Sequence, residues 1–281
     1  MKARFVDVNG IKTRVLFEGS ETATPILLIH GFGIGAESWF KNIDALAENY
    51  FVVAPDLVGH GFTDPVPLRG RPPYPVNLEH LIGLLDALRL DRVVACGSSY
   101  GALLAALVWF EQPDRVMKLI LNGSGSCFNT ETEIVEKLKL TYENAGQAIK
   151  SSTLESCRVR MANTVFDPQS IPPEILLCQL TAYAQPHYLS WWEEAMRGMM
   201  DIEQARPYRI LERLEQMDVD TLIIWGLQDN RGIYERAVEG VGRMPRADLV
   251  GFDRCGHLPY LEHPEQFHQA VRRFISEGLP S

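Results

Sequence analysis

Ser99 stands at the centre of Gly97-Ser98-Ser99-Tyr100-Gly101, a G-x-S-x-G run between the apolar stretch Val93–Cys96 and the helical pattern Ala102–Phe110. A strand that turns sharply into a helix at such a run lifts the central hydroxyl clear of the sheet. The turn is so tight that a side chain at Gly97 or Gly101 would strike the neighbouring strand or helix, and strain of ~1–3 kcal/mol is expected at the serine itself. The following helix aims its N-terminus at negative charge developing on a reacting carbonyl. Register selects Ser99 over Ser98, because an elbow centred on Ser98 would need glycines where Cys96 and Tyr100 stand. Read without chemistry, the run is a small-residue turn whose serine caps a helix.

A serine hydroxyl is inert at neutral pH until a base takes its proton. His257, in Cys255-Gly256-His257-Leu258-Pro259, lies just past the strand pattern Leu249–Phe252. Asp229, in Trp225-Gly226-Leu227-Gln228-Asp229, follows another apolar strand in the same way. An acid there would hold the imidazole and stabilise its charged form. His30-Gly31-Phe32-Gly33 follows the apolar run Ile26–Ile29, and its glycines let the backbone approach a substrate. The amides of Phe32 and Tyr100 are the expected oxyanion donors, each worth roughly 2.7–4 kcal/mol of barrier. His30 is expected to order its loop by hydrogen bonding. Gly31, Ser98 and Leu258 neighbour these groups and are expected to line the substrate pocket, with Trp191 and Met196 reaching it from a helical block.

Those residues need elements to carry them. Arg4–Val8 and Lys12–Glu18 flank Asn9-Gly10, a strong hairpin signal. Ile26–Ile29, Phe51–Ala54, Val93–Cys96, Leu119–Leu121, Leu222–Trp225 and Leu249–Phe252 read as further strands, several apolar throughout as in a sheet covered on both faces. Ser38–Glu48, Asn77–Leu88, Tyr100–Glu111 and Pro264–Ser276 have helical spacing. The alternation predicts an α/β fold with a mostly parallel central sheet flanked by helices. From Gly125 to Pro207 the pattern is helical and rich in Met, Trp and Tyr, which predicts an inserted cap over the sheet edge. The expected division is a core of residues 1–124 and 208–281 with a helical cap, 125–207. The Pro-rich stretch Pro65–Pro75 reads as a surface loop.

Composition excludes several functions. With 27 basic and 36 acidic residues the net charge is −9, a poor match for a nucleic-acid backbone. The longest apolar run, Ala102–Phe110, is too short to cross a bilayer. The opening MKARFVDVNGIK has no apolar signal segment, and the five cysteines form no CxxC pair, as expected of free thiols in the cytoplasm. His257, His263 and His268 lack the i, i+4 pairing of an H-E-x-x-H zinc site, so neither a metal nor a cofactor is expected. A homo-oligomer is left open.

Taken in order, His30-Gly31-Phe32-Gly33, Pro55-Asp56-Leu57-Val58-Gly59-His60-Gly61, Gly97-Ser98-Ser99-Tyr100-Gly101, Gly226–Asp229 and Gly256-His257 resemble the α/β-hydrolase fold superfamily, serine-nucleophile branch, along nearly the whole chain. The stretch His30–Trp39 and the length are similar to the meta-cleavage product hydrolases, which cut carbon–carbon bonds in vinylogous diketones. That resemblance implies Asn before the nucleophile and Trp after the histidine, where this chain has Ser98 and Leu258. It also implies a cap arginine that holds a carboxylate; Arg158, Arg160 and Arg197 are the arginines weighed for it.

The sequence therefore favours a carboxylic ester of a hydrophobic small molecule as substrate, cleaved through an acyl-enzyme on Ser99. Carbon–carbon cleavage of a vinylogous diketone is the alternative. A non-catalytic small-molecule receptor on the same fold is the alternative of another class. Gly31-Phe32-Gly33-Ile34-Gly35-Ala36, with Asp56 twenty residues on, also fits a dinucleotide fingerprint, but that reading leaves Ser99, Asp229 and His257 without a role.

Overall fold

The computed structural model describes residues 1–279. Eight strands form one sheet in the order β1-β2-β4-β3-β5-β6-β7-β8. The hairpin β1 (Lys2–Val8) and β2 (Ile11–Glu18) turns at Asn9-Gly10, both at positive φ as the tight turn requires. β2 joins β4 (Phe51–Pro55) antiparallel. From there β3 (Pro25–Ile29), β5 (Val93–Ser98), β6 (Val116–Asn122), β7 (Thr221–Gly226) and β8 (Ala247–Phe252) run parallel. The strands read from sequence are all present, each extended by a residue or more.

β4, β5 and β7 are buried along their whole length because helices cover both faces. The coverage comes from α1 (Phe40–Leu46), α2 (Pro73–Ala87), α3 (Tyr100–Glu111) and, beyond the insertion, three helices described below. The Pro-rich loop is shorter than expected, since α2 begins at Pro73. Pro73 and Pro75 sit in the first turn, where a missing N–H breaks no hydrogen bond.

Between β6 and β7 the chain is helical: α4 (Gly125–Phe128), α5 (Glu131–Ser151), α6 (Leu154–Ala162), α7 (Pro173–Tyr183), α8 (Tyr188–Met200) and α9 (Ile202–Ala205). α5 and α6 both open with a capping box, Thr130 with Glu133 and Thr153 with Ser156. α10 (Tyr234–Val241), α11 (Pro259–Glu262) and α12 (Pro264–Glu277) complete the fold. The cysteines are unpaired thiols, four of them buried. Among the described residues no helix is long and apolar enough to cross a membrane.

Candidate active site

Ser99 joins β5 to α3 at φ 53° and ψ −114°, a left-handed conformation that L side chains rarely adopt. Its N–H donates to the Asn122 carbonyl at 2.8 Å, which pins the strained residue to β6. The two glycines are there for space. A Cβ on Gly97 would lie 2.1 Å from the Gly101 carbonyl oxygen, and one on Gly101 would lie 2.3 Å from that of Ile29. Both collisions are with backbone, as the sequence argument required.

Asp229 sits in the turn after β7, its side chain buried. Its Oδ1 accepts the N–H groups of Arg231 at 2.7 Å and Gly232 at 3.3 Å, so the turn aims the carboxylate. Oδ2 and Oδ1 lie 2.8 and 3.0 Å from Nδ1 of His257. A carboxylate only accepts, so Nδ1 carries a proton, and in the neutral imidazole Nε2 is then the free base. His257 and Ser99 line the same cavity.

Backbone from three places fixes His257. Its N–H donates to the Thr164 carbonyl at 3.0 Å, in the segment that follows α6. Gly123, at φ +50°, passes close beneath, where a Cβ would lie 2.8 Å from the His257 carbonyl oxygen. Glu262 in α11 accepts from Gly256 N–H at 3.0 and 3.1 Å, from Leu258 N–H at 3.2 Å and from Phe166 N–H at 2.7 Å. Burial pushes the Glu262 carboxyl above the ordinary range, and these N–H groups pull it back down. Sequence reasoning missed Glu262, because a carboxylate that caps distant backbone has no local signature.

His30 is buried and burial holds it neutral, its pKa pushed below the ordinary histidine value. Leu57 N–H donates to its Nε2 at 2.9 Å, so the proton is on Nδ1, which donates to the Gly31 carbonyl at 2.7 Å. The peptide is planar and trans, so fixing the Gly31 carbonyl also fixes the Phe32 N–H on the opposite side. Among the described residues, neither the Phe32 N–H nor the Tyr100 N–H at the start of α3 donates to a protein acceptor. Asp56 shapes its loop: its oxygens accept from Ala36 N–H and Phe62 N–H, both at 2.8 Å, and pair with Arg14. Those contacts leave Asp56 no free face for the ribose of a dinucleotide.

The cavity measures about 120 Å³. Gly31, Ser98, Leu258, Phe32 and Tyr100 line it together with Ser99 and His257. Trp191 and Met196 do not. Trp191 packs over Gly59 and His60 in a satellite cluster with Val58 and Val76, its indole N–H donating to the Val66 carbonyl at 2.9 Å. Met196 is fully buried in the main core. Of α8 it is Met199 that reaches the cavity.

The largest single share of the cap side is supplied by α5. Ile134, Lys137, Leu138, Thr141, Asn144 and Ala145 recur at three- and four-residue spacing, a single helix face turned to the cavity. That periodicity was the available signal, and reading the segment only as helical left it unused. Arg160, Arg209 and Arg231 join Lys137 as cations in the lining, and no carboxylate lines it among the described residues. Nη1 of Arg160 and of Arg209 are buried without a hydrogen-bond partner.

The profile of the alpha/beta hydrolase family matches residues 26–270. A 2-hydroxy-6-oxononadienedioate/2-hydroxy-6-oxononatrienedioate hydrolase of Dechloromonas aromatica (strain RCB) is 30% identical over 261 residues, 89% of this chain and 86% of that protein. Its counterpart in Burkholderia vietnamiensis (strain G4 / LMG 22486) is 28% identical over 97% of this chain and 95% of its own. A solved meta-cleavage product hydrolase, CumD of Pseudomonas fluorescens IP01, is similar with a TM-score of 0.79 and 26% identity, covering 98% of each chain. The chain belongs to the alpha/beta hydrolase family and is a hydrolase.

Proposed function

We propose that this protein hydrolyses a carbon–carbon bond of a vinylogous diketone that carries a carboxylate, in the manner of the meta-cleavage product hydrolases. One observation carries the choice over an ester: the curated relatives that span the chain are named as hydrolases of 2-hydroxy-6-oxo dienoates and dienedioates. The four cations in the cavity lining support an anionic substrate. The ester preference read from sequence rested on Ser98 and Leu258 standing where that family has Asn and Trp, and it now takes second place.

The substrate is an enol. Moving its proton from oxygen to the carbon chain gives a diketone with an electrophilic carbonyl, and His257 moves it. Ser99 Oγ then attacks that carbonyl, with Nε2 of His257 taking the hydroxyl proton and Asp229 stabilising the imidazolium. The Phe32 and Tyr100 amides hold the oxyanion. Collapse breaks the carbon–carbon bond, the departing carbon takes the proton from His257, and the acyl group stays on Ser99. Water attacks the acyl carbon, His257 taking its proton and returning it to Ser99 Oγ as the acid leaves.

The test is to supply a 2-hydroxy-6-oxo dienoate and p-nitrophenyl esters to the same preparation. Faster turnover of the dienoate supports this reading. Turnover of esters alone restores the ester reading, and binding without turnover of either favours the receptor.

A further inference from the structure

Behind Ser99 and His257 the cavity does not end in solid core. A second, open groove of about 870 Å³ runs between α5 and α6 on the outer face of the insertion. Asn144, Arg160 and Arg231 line both spaces, so these side chains form the wall between them. Amide side chains span the wall, with Asn163 Nδ2 donating to Asn144 Oδ1 at 3.0 Å, Asn144 Nδ2 to the Arg160 main-chain carbonyl at 3.2 Å and Asn230 Nδ2 to the Asn163 main-chain carbonyl at 3.1 Å. Amides linked this way part by rotamer changes, with no strand or helix to break.

The two arginines are under-partnered. Arg160 Nη2 approaches the Phe32 carbonyl at 3.4 Å and its guanidinium lies near the Tyr183 ring, while Nη1 is buried with no partner. Arg231 Nη1 reaches only Thr141 Oγ1, at 3.5 Å. Burial and the charge of Arg160 both push Arg231 below the ordinary arginine range, opposed by Asp229, whose carboxylate is engaged with His257. Two cations close enough for the charge of one to act on the other are both stabilised by an anion bound beside them.

We infer that Arg160 and Arg231 form a carboxylate-binding neck through which the acid product leaves the cavity into the α5–α6 groove. The inference rests on the hydrolase reading above only for the origin of that acid. Whichever bond is cut, hydrolysis of the acyl-enzyme turns a neutral acyl group into a carboxylate at Ser99, the proton passing to solvent. The charge is created on the cavity side of the neck, and of the four cations that line the cavity only Arg160 and Arg231 also line the groove. Glu143 and Glu155 line the groove beyond it. Among the described residues the groove has no cation in its lining besides Arg160 and Arg231, so the attraction for an anion is confined to the neck.

Benzoate serves as the probe, because an unreactive carboxylate binds whether or not the protein turns over a diketone. Its equilibrium affinity and its association and dissociation rates are followed by tryptophan fluorescence in the intact protein. Arg160→Gln and Arg231→Gln are each expected to weaken benzoate by about tenfold, the scale of a lost charge-assisted hydrogen bond, and Arg160→Lys by less. Val159→Trp fills the groove outside the neck, where Val159 is exposed on α6. It is expected to slow association and dissociation together and to leave the equilibrium constant unchanged. Benzoate failing to bind the wild type, binding that ignores both arginine substitutions, or unchanged rates in Val159→Trp would each overturn the proposal. Failure of the reading under Proposed function shows separately, in the dienoate assay.

Discussion

The main-chain N–H of His257 donates to the carbonyl of Thr164 at 3.0 Å, so the loop that holds the proposed base and the helical insertion share a backbone hydrogen bond. A Cβ on Gly256 would lie 2.7 Å from the Phe166 nitrogen, which shows how closely the two segments run. The orientation of His257 thus depends on how the insertion is seated, and a change in the segment after α6 reaches the imidazole without touching it.

Asp229→Asn is expected to lower kcat by roughly 10⁴-fold with little loss of stability. The amide oxygen still accepts from Arg231 and Gly232, but its NH₂ directed at Nδ1 favours the imidazole tautomer with Nε2 protonated, which cannot take the Ser99 proton. Steady-state kinetics beside a thermal melt checks it; a variant within tenfold of wild type would remove Asp229 from the proposed triad.

Glu262→Ala strands the N–H groups of Gly256, Leu258 and Phe166, two of them on either side of His257. At ~1–3 kcal/mol for each buried donor left unmade, and with water reaching some of them, a loss of a few kcal/mol is expected, together with a fall in kcat. Glu262→Gln keeps one good acceptor oxygen and should lie between. Denaturant unfolding and kcat on the three proteins give the order, and an alanine variant as stable and active as wild type would contradict the clamp.

Gly97→Ala places a methyl 2.1 Å from the Gly101 carbonyl oxygen, a backbone atom that no rotamer change moves aside. A destabilisation above ~3 kcal/mol is expected, read as a fall in melting temperature or a loss of soluble protein. Gly10→Ala meets no atom within 4 Å and tests the left-handed backbone alone, so its cost should be smaller.

Stability should fall on mild acidification. Burial depresses His60 to about 3 and His80 to about 4, and lowers His30 as well. The unfolded chain takes up these protons near pH 6.5, before the folded protein does. The stabilisation is therefore full above pH 6.5 and is lost as pH drops toward 4, by on the order of 1 kcal/mol per pH unit for each histidine in that window. Unfolding free energies measured from pH 7 to pH 4.5 check this; a flat profile would mean that these rings take up protons in the folded state as readily as in the unfolded chain.

The strands and the proposed reacting groups were legible because each has a local signature. β5 and β7 carry the apolar runs Val93–Cys96 and Leu222–Trp225, and Ser99, Asp229 and His257 each follow a strand within a glycine-marked turn. The lining of the cavity was less so. Whether Met196 or Met199 faces the cavity depends on how α8 rolls against α5, and both positions are apolar whichever way it turns. Glu262 and Arg160 act across long sequence separations, Arg160 reaching Phe32 from α6. Nothing beside either residue in the chain announces that partner.

The most direct test of the account is turnover of a 2-hydroxy-6-oxo dienoate by the wild type and by Ser99→Ala. Cleavage into two acids by the wild type is expected, with a loss of roughly 10⁴-fold or more in a folded Ser99→Ala protein. Equal rates in the two proteins, or ester turnover with no cleavage of the dienoate, would contradict it.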